Sequence, residues 1–316
     1  MTANPPLLVI AGATATGKTG LSIGVARRLR DEGIAAEIIS ADSRQVYRGL
    51  DIGTAKVPAA ERGGIPHHGL DLVDPDEQFS VADFVRHARA ALAAIAGHDG
   101  LAILVGGTGL YLRAVARGLD PEALPSDPGR RRRIDAAIEA EGVEVAAERL
   151  RSLAPGRAAR VDLRNPRRVS RALELAELVG DLPLPTPVAY RGPIEWMGLR
   201  LEPATHAEWI ANRAREQFDA GLVEEARVLR ERFDPALPAF SAIGYREAWA
   251  LLDGELSRED AIEADARRNV AFARRQATWF RQELAIQWLD ARESVLDGVV
   301  RVARRLAAGQ IAGRPR

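Results

Sequence analysis

Residues 7–19, Leu-Leu-Val-Ile-Ala-Gly-Ala-Thr-Ala-Thr-Gly-Lys-Thr, decide how the rest of the chain is read. The apolar run Leu7 to Ile10 is short enough for a buried strand. Gly12, a four-residue spacer and Gly17-Lys18-Thr19 follow at once. Behind them Leu21, Val25 and Leu29 recur with the spacing of one helix face. Strand, glycine loop and helix in that order define a phosphate-binding loop. Gly12, Ala13, Thr14, Ala15, Thr16, Gly17, Lys18 and Thr19 are its candidate diphosphate-binding residues. Backbone amides of such a loop line a concave anion site, and the following helix adds its positive end. Gly12 and Gly17 admit backbone angles that a side chain disfavours. Lys18 brings a compact ammonium, and the Thr19 hydroxyl is the candidate ligand for Mg2+. Lys18 and Lys56 are the only lysines; every other basic side chain is Arg. A lysine at this position is therefore not background composition.

Bulk properties bound the answer. The 316 residues allow about two domains. A composition 47% hydrophobic and 28% charged is that of a globular protein. No apolar run approaches the ~20 residues of a membrane span. The opening Met-Thr-Ala-Asn-Pro-Pro has neither the basic nor the apolar region of a signal peptide. The absence of Cys excludes disulfides and thiolate zinc sites. A cytoplasmic protein with no membrane association is expected. The net charge is zero, yet arginines cluster at 130–133, at 157–171 and at 267–281. Local basic clusters within a neutral total are compatible with a nucleic-acid face, although on charge alone solvated helix surfaces are the better explanation.

Further strands are expected at Ala36–Ser40, Leu101–Val105, Ile194–Leu201 and Ile286–Leu289. Ser80 with Asp83 opens a helix carrying Val81, Phe84, Val85, Ala88, Leu92 and Ile95. Helical patterns cover Asp127–Glu141, Val143–Leu153 and Asn165–Val179, then a turn-rich stretch at Gly180–Gly192. Others cover Thr205–Ala220, Ala242–Leu252, Ser257 to about Ala285, and Arg292–Ala308. The fold class is α/β: a parallel-sheet core of the P-loop nucleotide-kinase type with a mostly helical insertion. The core takes residues 1–118 and 194–316, and the insertion takes 119–193. His67 and His68 are adjacent, a poor geometry for one metal, and read as loop structure. The five tryptophans sit among apolar positions and read as packing.

A P-loop alone identifies a bound di- or triphosphate. A kinase usually adds an apolar strand ending in a magnesium-binding Asp. Leu101–Val105 ends instead in Gly106-Gly107-Thr108-Gly109, whereas Ala36–Ser40 delivers Asp42, Ser43, Arg44 and Gln45 to the edge where α/β sheets bind ligands. Asp42 could serve as a magnesium ligand, as a general base toward a nucleobase amine, or as a cap on the next turn.

Several segments together resemble the bacterial tRNA dimethylallyltransferase family. They are 12–19, Ile-Ser-Ala-Asp-Ser-Arg-Gln-Val-Tyr (39–47), Asp-Ile-Gly-Thr-Ala-Lys (51–56), Pro-His-His (66–68) and Phe-Ser-Val-Ala-Asp-Phe (79–84). Leu-Val-Gly-Gly-Thr-Gly-Leu-Tyr (104–111), Ala-Ile-Gly-Tyr-Arg-Glu (242–247) and Ala-Arg-Arg-Gln-Ala-Thr-Trp-Phe-Arg (273–281) complete the set. Departures are Ala13, where the family commonly has Pro, and Asp162 to Arg168, which replaces a His-Pro-Asn-Asp-Pro-x-Arg pattern.

The resemblance implies transfer of a dimethylallyl group from dimethylallyl diphosphate to N6 of the adenosine 3′ to the anticodon, with Mg2+ as cofactor. It implies Asp42, Thr108 and Arg213 as catalytic residues. It further implies that the tRNA anticodon stem-loop meets Asp42 to Gln45, Thr108, Arg130, Pro166, Arg167, Arg168, Val169, Ser170, Phe240, Ser241, Ala242, Ile243, Gly244 and Tyr245. A monomer suffices. The alternatives are an adenylate isopentenyltransferase, a small-molecule P-loop kinase and a non-enzymatic P-loop RNA-binding protein.

Overall fold

Strand β1 (Leu7–Gly12) is buried along its whole length. That is why its sequence is a continuous apolar run and not an alternation. Leu7, Val9 and Ala11 face one apolar layer, and Leu8 and Ile10 face another. The computed structural model describes residues 4–183 and 186–309. Met1–Ala3 of the opening stretch, and Leu184 and Pro185 of the turn-rich stretch, lie outside the described residues.

Helix α1 (Lys18–Asp31) returns along the sheet to β2 (Ala36–Ser40). The adjacent histidines, expected in a loop, form a two-residue strand, β3 (His67–His68), beside Ile38 and Ile39. Helix α2 (Val81–Ala96) begins at the expected cap: Ser80 and Asp83 bond reciprocally. Strand β4 (Leu101–Gly106) leads into α3 (Gly109–Ala116), a short helix that periodicity did not disclose.

The order α4 (Pro128–Glu141), α5 (Val143–Leu153), α6 (Pro155–Ala158) and α7 (Pro166–Val179) follows. Then come β5 (Ile194–Arg200), α8 (Pro203–Asp219), α9 (Leu222–Arg232) and α10 (Tyr245–Leu252). The chain continues through α11 (Arg258–Phe280), β6 (Gln287–Asp290) and α12 (Leu296–Ala307). Helix α9 was also unexpected. Gly221, at φ 103°, separates the expected helix, α8, from α9, a second helix in a stretch for which none was read. Helix α10 begins at Tyr245 and not Ala242, because Gly244 takes φ 109°. Helix α11 stops at Phe280, short of Ala285.

All strands are parallel, in the order β3-β2-β4-β1-β5-β6. Helices α2 and α3 supply Phe84, Ala88, Leu92 and Leu112 to one face, while α1 and α12 supply Val25, Leu29, Val299 and Leu306 to the other. Register aligns the exits of the central strands: Ala11 pairs Gly106, Gly12 pairs Leu199 and Ser40 pairs Val105. The loops that carry chemistry therefore leave the sheet side by side. From β1 the chain goes first to β2 on one side and later to β5 on the other, so the carboxyl edge beside β1 is where such sheets bind ligands.

The contacts divide the chain into two units, one running to Leu119 and resuming at Ala189, the other Asp120–Val188. Residues 189–193, expected in the insertion, belong with the core unit. Tyr190 donates its hydroxyl hydrogen to Pro5 O at 2.7 Å, and Pro193 O accepts Leu7 N–H at 2.9 Å. The second unit is a helical cluster closed on its own core of Ile134, Leu150, Val169 and Leu173.

Candidate functional site

The loop between β1 and α1 has the backbone its glycines announce. Gly12 takes φ 154°, and a Cβ there would lie 2.6 Å from Leu199 O. Gly17 takes φ 80° and caps α1. Ala15, a non-glycine, also adopts positive φ, at 56°. That strained conformation is held by packing: Ala13 and Ala15 rest on Ile210 of α8 and Ala273 of α11. Ala13, where the resembling family commonly has Pro, is thus a buried contact.

Lys18 Nζ donates to Ala13 O at 2.5 Å. Thr16 Oγ1 donates to the same carbonyl at 2.9 Å. Burial, reinforced by the Arg213 guanidinium, lowers the Lys18 pKa to about 7, and Asp42 opposes the shift. No carboxylate forms an ion pair with Lys18 among the described residues. A cation so destabilised is a receptor for an anion. The Thr14 amide, expected to face the ligand, is instead engaged: it donates to Gln276 Oε1 at 2.8 Å. Thr14 O accepts from His206 Nε2 at 2.8 Å. The amide donors open to an anion are those beyond Thr14. Thr19 is exposed at the first turn of α1.

Asp42 follows β2 directly. Its Oδ1 accepts Arg44 N–H at 2.8 Å, so the turn-capping reading holds for one oxygen. The carboxylate also acts electrostatically on both Lys18 and Arg213. Thr108 holds the neighbouring backbone: its Oγ1 accepts Ser43 N–H at 3.1 Å, and its own N–H donates to Ala41 O at 3.2 Å. Lys18, Asp42, Thr108 and Arg213 are thereby brought to one place.

Arg213 projects from α8. Burial lowers its pKa, against the pull of Asp265, Asp42 and Glu216. Asp265 of α11 was not foreseen. It is 1% exposed, its Oδ1 accepts from Asn269 at 2.7 Å, and its Oδ2 has no hydrogen-bond partner. Burial pushes its pKa up to about 6. Gln276 and His206 were missed too, since neither carries a local signal that it holds the P-loop.

The other residues expected at the site have varied surroundings. Gln45 is used internally, accepting from Ser40 Oγ at 2.9 Å and donating to Thr54 O at 3.0 Å. Arg44 donates to Pro238 O at 3.0 Å. Phe240, Ala242, Gly244 and Tyr245 are buried, the first, second and fourth of them in the core beneath α9 and α10. Only Ser241 of that segment is exposed, with Ile243 partly so. Val169 and Ser170 lie inside the second unit, at 0% and 1% exposure. Arg130 is paired with Glu177 at 2.9 Å. Pro166, Arg167 and Arg168 are exposed at the start of α7, and neither arginine has an ion pair among the described residues.

Sheet order, glycine loop and lysine define a P-loop protein whose anion cradle adjoins a carboxylate. The family model described as IPP transferase matches residues 45–283, and the chain belongs to that family. A tRNA dimethylallyltransferase of Nocardioides sp. is 42% identical over 290 residues, covering 90% of this chain and 91% of its relative. One from Anaeromyxobacter dehalogenans is 44% identical over 289 residues, covering 90% and 94%. The solved tRNA isopentenylpyrophosphate transferase of Bacillus halodurans is 36% identical, with a TM-score of 0.68, covering 96% of this chain and 95% of that one. A eukaryotic dimethylallyltransferase acting on tRNA, 24% identical over 99% of this chain and 81% of that one, shares the fold with a TM-score of 0.79.

Proposed function

We propose that the protein transfers a dimethylallyl group from dimethylallyl diphosphate to N6 of the adenosine 3′ to the anticodon of tRNA, releasing diphosphate. One observation carries this reading: a carboxylate, Asp42, sits within electrostatic reach of both the P-loop lysine and Arg213. Anion cradle and base therefore serve one reaction centre. The names of the relatives agree with it.

The chemistry follows from the residues. The C1–O bond of the allyl diphosphate breaks as N6 attacks C1. Lys18, Arg213 and the amides beyond Thr14 stabilise the departing anion, and a preorganised positive site is where such catalysis is strongest. Adenine N6 is a poor nucleophile because its lone pair is delocalised. Asp42 accepts the amine proton as the new C–N bond forms, a role worth ~10²–10⁴-fold. Thr108 positions the Asp42 loop through Ser43.

Mg2+ fits the donors present. The exposed Thr19 hydroxyl and the leaving-group oxygens are hard ligands, and this ion commonly binds through few protein groups plus phosphate and water. When bound it would neutralise charge on the diphosphate. Arg167 and Arg168, without acidic partners among the described residues, are the arginines of α7 suited to RNA phosphates. No described helix is long and apolar enough to cross a membrane. A cytoplasmic monomer belongs to the same reading, since every residue invoked lies on one chain.

The test is to incubate the protein with labelled dimethylallyl diphosphate and, separately, unmodified tRNA, AMP or ATP. Label appearing in tRNA alone supports the reading. Label in AMP, or phosphate release from ATP, overturns it.

A further inference from the structure

The P-loop and the loop after β4 leave adjacent strands at the Ala11–Gly106 pair. Beyond that pair one strand continues into the P-loop and the other into the Gly107–Thr108 loop. One side chain spans them. Gln276 of α11, 7% exposed, accepts Thr14 N–H on Oε1 at 2.8 Å and donates from Nε2 to Gly107 O at 2.9 Å. A carboxamide has an acceptor end and a donor end. Here each end meets the complementary backbone group of a different loop. The opposite face of the Thr14 residue is held by His206 of α8. The fit is close: a Cβ on Gly107 would collide with Gln276 Nε2.

We propose that Gln276, with His206 on the other side of Thr14, is a positioning residue for the diphosphate site, fixing the P-loop against the Gly107–Thr108 loop. The inference rests on the proposed function, in which that cradle holds diphosphate. A consequence is that α8 and α11, which also carry Arg213 and Asp265, report their position directly to the anion site. The role is directional. Gln276→Glu keeps the bond to Thr14 but turns a carboxylate oxygen toward the Gly107 carbonyl. Gln276→Met keeps the length and loses both bonds.

The experiment measures the Kd of inorganic pyrophosphate, the KM for dimethylallyl diphosphate, tRNA affinity and thermal unfolding on the full-length protein. Gln276→Met and Gln276→Glu should each weaken pyrophosphate about tenfold and raise the KM in parallel, the scale of one or two lost neutral hydrogen bonds. Both should leave tRNA affinity unchanged, a split that general loosening would not give. Gly107→Ala should harm binding by itself, yet add nothing to Gln276→Ala, because the atom it strikes is then gone. A folded Gln276→Met that binds pyrophosphate as tightly as the wild type overturns the proposal. Should that variant not fold, His206→Ala decides: unchanged pyrophosphate affinity overturns it, and a severalfold loss supports it. Wild-type protein that binds no pyrophosphate would instead overturn the reading of the cradle.

Discussion

The carboxyl edge of the sheet and the helical unit 120–188 treat positive charge in opposite ways. At the sheet edge Lys18 has no ion-pair partner among the described residues, and the protein accepts a pKa of about 7 there. In the helical unit Glu174, at 0% exposure, takes Arg131, Arg171 and the Asp127 amide, and Glu177 takes Arg130 and Arg149. Arg130, Arg131 and Arg149 thereby staple α4 and α5 to α7. The difference teaches that a count of basic residues does not say which are available. The P-loop lysine is kept out of ion pairs, whereas the arginines that build the helical unit are neutralised within it.

The largest effect separating the two regions should come from Asp42→Ala. Turnover should fall ~10²–10⁴-fold with tRNA affinity retained. A single-turnover rate near that of the wild type would remove Asp42 from the base role. Next, Glu174→Gln should destabilise the helical unit by about 3 kcal/mol, since it strips a buried charge from two guanidinium partners. Its signature is an early transition in thermal unfolding, with dimethylallyl diphosphate binding intact. Unfolding indistinguishable from the wild type would show that these pairs are not structural.

A third measurement uses pH. The Lys18 pKa is lowered, so the ligand-free lysine loses its proton as pH rises through about 7, and the cation needed by the diphosphate is lost with it. Affinity for dimethylallyl diphosphate should therefore fall by up to about tenfold per pH unit above 7. Lys18→Arg, which stays charged, should abolish most of that slope. The smallest effect should distinguish arginines within one unit. Arg167→Ala or Arg168→Ala should each weaken tRNA binding and reduce its salt dependence by about one phosphate contact. Arg130→Ala should act mainly on stability. Equal salt slopes for all three would erase the distinction between paired and unpaired arginines.

Features that depend on neighbouring residues were legible in the chain itself. The P-loop, the Ser80 cap and β1, β2, β4 and β5 follow from local spacing, because strand, turn and cap chemistry act over a few residues. Helices α3 and α9, of eight and eleven residues, were too short or too close to a glycine break to stand out. Strand β3 exists only because β2 lies beside it. Asp42 was marked by its place at the end of a strand, while Thr108 and Arg213 came through family resemblance. Gln276 and His206 stayed hidden for a plainer reason: each holds Thr14 from a point 262 or 192 positions along the chain. The burial of Phe240, Tyr245, Val169 and Ser170 was likewise not legible, since a motif records that residues recur together without saying which way they face.

The naked α-carbon of Gly106 has a consequence for the proposed base. A methyl group there would land on the carbonyl of Ala41, the residue immediately before Asp42. Even an alanine would have to shove that peptide aside and swing the acid off target. In the proposed reaction, the aim of the carboxylate would rest on a hydrogen atom carried by the strand next door.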